Sequence, residues 1–182
     1  LETPEGLQLG GEKRKVTILM SDLRGFSALS ERVSSETAVD AINFYLEVMT
    51  EAIGQYQGTI NEIMGDGILV MFGAPIARED DSQRAIACAI AMQLAMDRVN
   101  RHNQQMNLPS LEMGIGINTG EVVVGNIGSE KRTKYSVIGS HVNLTYRIES
   151  YTVGGQILVS ESTLKEVESI VRIDEQKEVQ PK

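Results

Sequence analysis

The strongest restriction on the fold lies in residues 59–72, where two short apolar runs, Thr59–Met64 and Ile68–Phe72, are separated only by Gly65-Asp66-Gly67. A glycine-flanked aspartate between two such runs is the signature of a tight β-hairpin, so they read as adjacent antiparallel strands. A helix-length pattern lies on each side of this hairpin. Ser34-Ser35 offers an N-cap, and residues 36–57 then carry Val39, Ile42, Leu46, Met49, Ile53 and Tyr56 at steps of three and four. A second stripe, Ala38, Ala41, Tyr45, Val48 and Ala52, runs beside the first. The combined face is wider than packing on one sheet requires, which suits a thoroughly buried helix or one shared between a sheet and a second subunit. Gly58 ends this helix. The other helix runs from Asp80 to Asn103, with Ala85, Ala89, Met92, Met96 and Val99 as core filling.

Strands flank this unit. Val16–Met20 is apolar without interruption and reads as a strand buried on both faces, followed by a turn over residues 21–26 and helical sequence. Leu111–Asn118 alternates Met113, Ile115 and Ile117 with Gly114 and Gly116, so one side fills a core while the other admits close approach to the backbone. Thr119-Gly120 is expected to turn the chain into Val122–Val124. A charged loop, Ser129–Lys134, then precedes strand Tyr135–Ile138, helix 141–150, strand Gln156–Ser160, helix 162–169 and a final strand within Val171–Lys182. Hairpins combined with long helical crossovers predict an α/β (α+β) sandwich with a mainly antiparallel sheet. Residues 1–14, with Pro4, Gly6, Gly10 and Gly11, read as a linker or N-terminal extension, and 15–182 as one domain.

Several function classes are excluded. The net charge of −8 over 182 residues argues against a general nucleic-acid binder. One cysteine, Cys88, rules out an internal disulfide framework and multi-cysteine zinc sites, and its apolar helical setting reads as a core thiol in a reducing compartment. The longest apolar runs are far shorter than the ~20 residues that span a bilayer. Without a signal peptide pattern or an initial Met, the chain reads as a soluble, cytoplasmic domain of a longer protein that a membrane could anchor, with regulatory domains upstream. There is no P-loop, no three-glycine dinucleotide fingerprint and no Gly-x-Ser-x-Gly elbow, and His102 and His141 are not spaced as a metal pair.

Two aspartates stand out. Asp22 ends a buried strand beside a glycine-containing turn and a helix start, and Asp66 occupies the hairpin tip. Carboxylates so placed could hold Mg²⁺ while helix N–H groups hold phosphate. By themselves the two are better accounted for as a helix-start residue, Asp22, and a turn residue, Asp66.

Four motifs then occur in order: Ser-Asp-Leu-Arg-Gly-Phe-Ser (21–27), Ile-Met-Gly-Asp-Gly-Ile-Leu-Val-Met-Phe-Gly (63–73), Gly-Ile-Gly-Ile-Asn-Thr-Gly-Glu-Val-Val-Val-Gly-Asn-Ile-Gly (114–128) and Tyr-Ser-Val-Ile-Gly-Ser-His-Val-Asn-Leu-Thr-Tyr-Arg-Ile-Glu-Ser (135–150). Together they resemble the catalytic domain of the class III nucleotidyl cyclases. The resemblance implies a ferredoxin-like βαββαβ core with additional strands and helices. It also implies a head-to-tail homodimer with two active sites at the interface. It assigns two divalent metal ions, Mg²⁺ or Mn²⁺, to Asp22, Asp66 and the Leu23 carbonyl, and phosphate to the N–H groups of Arg24, Gly25 and Phe26. Asn143 and Arg147, four residues apart and so on one helix face, match the pair that orients the ribose and stabilises charge on the α-phosphate. Lys182 resembles the family's phosphate-binding lysine. In the family the aspartates come from one subunit, and the base-reading residues, Asn, Arg and Lys come from the other.

The base is set by two further positions in this resemblance. Adenylyl cyclases carry lysine where this chain has Glu62, and aspartate or threonine where it has Ser136. Guanine presents adjacent N1–H and 2-amino donors that a carboxylate accepts together, whereas adenine N1 is itself an acceptor. The Ser136 hydroxyl can donate to guanine O6 but can also accept. The expectation is a guanylyl cyclase acting on GTP. The alternatives are an adenylyl cyclase of relaxed selectivity and a non-catalytic nucleotide-binding dimer module. A diguanylate cyclase is disfavoured, because its Gly-Gly-Asp/Glu-Glu-Phe turn is absent. His141 reads as a helix-start residue, and Tyr146 stands between Asn143 and Arg147 where the family has small residues.

Overall fold

The computed structural model describes residues 10–172. Its elements are β1 (Gly10–Arg24), α1 (Phe26–Arg32), α2 (Ser35–Gln55), β2 (Thr59–Met64), β3 (Gly67–Phe72), α3 (Asp81–Gln105), β4 (Glu112–Ser129), β5 (Arg132–Ile138), α4 (Ser140–Ser150), β6 (Ile157–Val159) and α5 (Glu161–Val167). The sheet runs β2-β3-β1-β4-β5, and β6 pairs with β4 as its one parallel neighbour among the described residues. The four strands β2-β3-β1-β4, crossed by α2 and α3, form the expected ferredoxin-like unit.

The strands exceed the sequence reading. β1 begins at Gly10, inside the glycine-containing stretch read as a linker, and continues through Arg24. Its partner explains this: every residue from Gly10 to Arg24 faces one of β4 from Asn126 back to Glu112. The ladder therefore overrides the glycines and the expected turn at residues 21–24. Likewise Thr119-Gly120 is not a turn, because β4 passes straight through it opposite Val16 and Thr17. The charged segment 129–134 is a hairpin whose strand β5 starts at Arg132. The final strand expected within residues 171–182 lies mostly outside the described residues, and Val171 and Arg172 are not in a strand.

β1 is buried on both faces, and alternation along it feeds two cores. Leu19 and Leu23 join α2 and α3 through Tyr45, Met49, Ile53, Ala89, Met92 and Val99. Val16, Ile18 and Met20 join Leu69, Met71, Val122, Val124 and Val137 beneath Val142 of α4. Each fully buried Ile or Leu contributes ~1.5–3 kcal/mol relative to exposure. Of the two stripes on α2, the inner one is the more deeply buried, while Val39 remains 54% exposed. Ser34 caps α2 by accepting from the Thr37 N–H at 3.2 Å. Cys88 is a buried core thiol, pushed up to about 12 by burial.

Glycines let α4 sit directly on β4. A Cβ at Gly116 would lie 2.8 Å from the Glu149 Cα. The His141 ring fills the space that a Cβ at Gly120 would need, and Asn118 donates to the His141 carbonyl at 3.1 Å. By contrast, nothing lies within 4 Å of a Cβ built on Gly54, near the end of α2. Gly116→Ala should therefore destabilise the protein by ~1–3 kcal/mol. Gly54→Ala should stabilise it by up to ~1 kcal/mol. Thermal unfolding should show Tm changes of opposite sign; equal shifts would mean that α4 yields freely from the sheet.

Candidate active site

Asp22 lies two residues before the end of β1, and Asp66 in the turn that leads into the neighbouring β3, at the same end of the sheet. Ser21 faces Ile68 across the β1–β3 ladder, which brings Asp22 to the hairpin tip where Asp66 sits between Gly65 and β3. Both carboxylates are partly exposed. Burial and then the Asp22 charge hold the Asp66 carboxyl above its usual range. A third carboxylate, Glu149 of α4, is buried and is raised by burial and then by Asp22, against the lowering effect of Arg24. Below them lies the fully buried Tyr45, whose hydroxyl donates to Met113 Sδ at 3.3 Å and is pushed well above its ordinary value by burial and by these acids.

Two of these carboxylates thus pair with one guanidinium, and the third, Asp66, feels its charge without touching it. Arg24 Nη1 donates to Asp22 Oδ1 at 2.8 Å, and Nη2 lies 2.9 Å from Glu149 Oε1. The donor set fits divalent cations: hard oxygen ligands, excess negative charge, and carboxylates whose ionised forms repel. Among the described residues no group of three acidic, histidine or cysteine side chains is placed to hold a metal ion, so the fit rests on the Asp22 and Asp66 pair. Two carboxylates would leave coordination positions for water and phosphate, as Mg²⁺ prefers.

Between Asp22 and α1 the backbone turns at Gly25, which is left-handed with φ 86° and N-caps α1 without a side-chain hydrogen bond. A residue other than glycine would be strained there. The first-turn N–H groups that begin at Phe26 are therefore not engaged by a cap side chain. Leu23, between Asp22 and Arg24, buries its side chain in the larger core.

The remaining site residues lie elsewhere. Asn143 and Arg147 are exposed on the outward face of α4, while Val142, Thr145 and Glu149 face inward. Neither side chain makes a hydrogen bond or ion pair among the described residues. Glu62 follows a bulge in β2, where pairing jumps from Ile60–Val70 to Glu62–Leu69. Leu69 belongs to the core under α4, so Glu62 projects to that face, and its charge, after burial, raises the Tyr146 hydroxyl. Tyr146 also approaches Met64 Sδ at 3.7 Å. Ser136 is half-buried in β5 and donates to the Lys134 carbonyl at 3.1 Å, with no hydrogen bond to Glu62. Lys182 lies outside the described residues. Sequence reasoning took Arg24 only for its backbone N–H and missed its side chain, Glu149 and Thr152. The glycine at position 114, opposite Asp22, was the available signal that something large approaches there.

Comparison with known proteins bears on the family and the fold. Residues 11–182 match the adenylate and guanylate cyclase catalytic domain family. The crystal structure of the guanylyl cyclase Cya2 is 56% identical, superposes with a TM-score of 0.93, and the match covers 96% of this chain and 88% of that one. The adenylyl cyclase CyaB from P. aeruginosa is 35% identical with a TM-score of 0.87, covering 90% and 85%. Adenylate cyclase from Anabaena cylindrica is 34% identical over 168 residues, 88% of this chain but 32% of the relative. The chain spans about a quarter to a third of the length of the curated relatives it matches.

If the acidic cluster is a cation site, Mn²⁺ should raise the wild-type Tm. Saturation at 100 times Kd stabilises by about 2.7 kcal/mol, and each kcal/mol is worth about 2–4 °C at this size. Asp22→Asn and Asp66→Asn should lose most of that shift. Without cation, the raised Asp66 and Glu149 carboxyls favour the folded state when protonated. That contribution is present below the ordinary carboxylate range and lost as pH rises through the raised values. Asp66→Asn should thus flatten the loss of stability between mildly acidic and neutral pH. A wild-type Tm insensitive to Mn²⁺, or variants that respond equally, would remove the cluster as a cation site.

Proposed function

The chain belongs to the family of adenylate and guanylate cyclase catalytic domains, and we propose that within it the chain is a guanylyl cyclase converting GTP to 3′,5′-cyclic GMP and pyrophosphate. The observation that carries the base assignment is Glu62, a carboxylate that the β2 bulge turns toward the α4 face beside Tyr146. It would accept from guanine N1–H and the 2-amino group together. The 56% identity to a guanylyl cyclase supports the same reading. Ser136 would donate to guanine O6. Adenylyl cyclases among the relatives make relaxed selectivity for ATP the second reading, and the two-way Ser136 hydroxyl is the residue that would permit it.

In this proposal the ribose 3′-oxygen attacks the α-phosphorus in line and pyrophosphate leaves. Asp22, Asp66 and the Leu23 carbonyl would hold two divalent cations, Mg²⁺ or Mn²⁺, which would supply acidification of the 3′-hydroxyl and charge neutralisation at the phosphates. The N–H groups of Arg24, Gly25 and Phe26 bind phosphate oxygens at the turn into α1. Asn143 orients the ribose, and Arg147 stabilises the charge that grows on the α-phosphate. Lys182 adds a phosphate contact.

Asn143 and Arg147 are exposed and without an intrachain partner among the described residues, so the proposal is a homodimer in which each site takes its aspartates from one chain and its Asn/Arg pair from the other. The domain would act in the cytoplasm under regulatory domains elsewhere in a longer protein. No helix among the described residues is long and apolar enough to cross a membrane.

Asp22→Ala and Arg147→Ala should each lower kcat/KM by about 100-fold or more, the several kcal/mol expected of transition-state charge stabilisation. Co-expressed, the two should regain activity, because one of the two sites in a mixed dimer carries neither lesion. A demonstrated heterodimer that stays inactive would show that each site is built within one chain. Glu62→Lys with Ser136→Asp should lower the GTP-to-ATP ratio of kcat/KM by about tenfold or more, because each change opposes like groups in the pocket. An unchanged ratio would mean that Glu62 does not read the base.

A further inference from the structure

We infer that Arg24 is a positioning residue whose side chain ties Asp22 to the last turn of α4, and so sets the geometry of both active sites to which its chain contributes. The inference rests on the two-chain reading above.

Asp22 and Arg24 are two residues apart on β1 and project from the same face. Arg24 Nη1 donates to Asp22 Oδ1 at 2.8 Å. Nη2 lies 2.9 Å from Glu149 Oε1, 2.6 Å from Thr152 Oγ1, 3.1 Å from the Glu149 carbonyl and 3.2 Å from the Thr152 carbonyl. The guanidinium is planar and rigid, so its two ends move together. Whatever repositions Asp22 must pull on α4, and the reverse holds equally.

Three features make this a built linkage. Gly114 faces Asp22 across the β1–β4 ladder, and a Cβ there would come 2.7 Å from Arg24 Nη2, so glycine is what admits the guanidinium. The Glu149 side chain is only 7% exposed, and Arg24 is its sole ion-pair partner among the described residues, so withdrawing Arg24 would strand a buried charge. The carbonyl of Glu149 belongs to the last turn of α4, where a positive charge also meets the negative end of the helix dipole. Arg147 occupies that same turn, on the outward face.

One guanidinium therefore orients a metal-site carboxylate for one active site and anchors the turn that presents Arg147 to the other. A lysine ammonium is a single point charge and cannot bridge both ends in this way.

Mixed dimers separate the two effects. The reference is Asp22→Ala paired with Arg147→Ala, which leaves one site free of lesions. Arg24→Lys paired with Arg147→Ala leaves a site whose only defect is on the α4 side. Arg24→Lys paired with Asp22→Ala leaves a site whose only defect is on the metal side. Both pairings should fall about 10–100-fold below the reference, the usual cost of losing a group that orients a metal ligand. Independently of turnover, Mn²⁺ titration of the Arg24→Lys homodimer followed by electron paramagnetic resonance should show affinity weakened by about tenfold. Glu149→Gln, which keeps side-chain shape, should lower both pairings in the same direction by less, and it carries the test should Arg24→Lys not fold. Reference-level activity in either pairing, or wild-type Mn²⁺ affinity, overturns the inference while leaving the two-chain reading intact. An inactive reference heterodimer overturns the two-chain reading and the coupling with it.

Discussion

Everything in this domain is referred to β1, a strand paired on both sides over Thr17–Ser21 and buried there on both faces. Its ladder with β4 runs from Gly10 to Arg24 and its ladder with β3 from Thr17 to Ser21. Because side chains alternate, the same strand nails α2 and α3 to one face and builds the smaller core under α4 on the other. A strand so constrained has little freedom to shift register, since a one-residue slip would send Leu19 and Ile18 to the wrong cores. Asp22 inherits that rigidity. It is a charged group on a strand that cannot move, and a site that must hold a carboxylate within a fraction of an ångström needs such support.

The second constraint is the bare glycine face of β4. Gly114, Gly116 and Gly120 remove the side chains that would hold α4 away, and the space is filled by Arg24 with Thr152, by the Glu149 backbone and by the His141 ring in turn. Close packing here decides what α4 can do. Its inward residues are consumed by the sheet and by Arg24, so its outward residues, Asn143 and Arg147, are left with no intrachain partner among the described residues. A helix docked this tightly cannot rotate to bring Arg147 round to its own Asp22. That fixed orientation is why the proposed chemistry is divided between two copies of the chain.

The acidic cluster shows the tension between stability and the proposed activity. Asp66 and Glu149 are both raised above the usual carboxylate range, by burial first and then by Asp22. Such groups weaken a fold at neutral pH and persist where something else neutralises them. Arg24 supplies part of that neutralisation, and bound cations would supply the rest.

Much of the fold was legible in residue order alone. The Gly65-Asp66-Gly67 hairpin, the N-cap at Ser34, the Met and Ala stripe of α3 and the alternation of Met113, Ile115 and Ile117 are local signals, set by turn chemistry and periodicity within one element. The four ordered motifs likewise pointed to the family and to Asp22 and Asp66 as the residues to locate. Strand lengths were not legible, because Gly10, Gly11, Thr119 and Gly120 read as breakers until a partner strand satisfies their backbone groups. Nor was the bulge in β2 that aims Glu62, since a bulge is a property of pairing between two strands. Arg24 stands 125 residues before Glu149 and 128 before Thr152, and no sequence pattern links it to them. Only the docking of α4 on the glycines of β4 brings them together, because desolvated charges find partners by where the chain folds and not by where they stand along it.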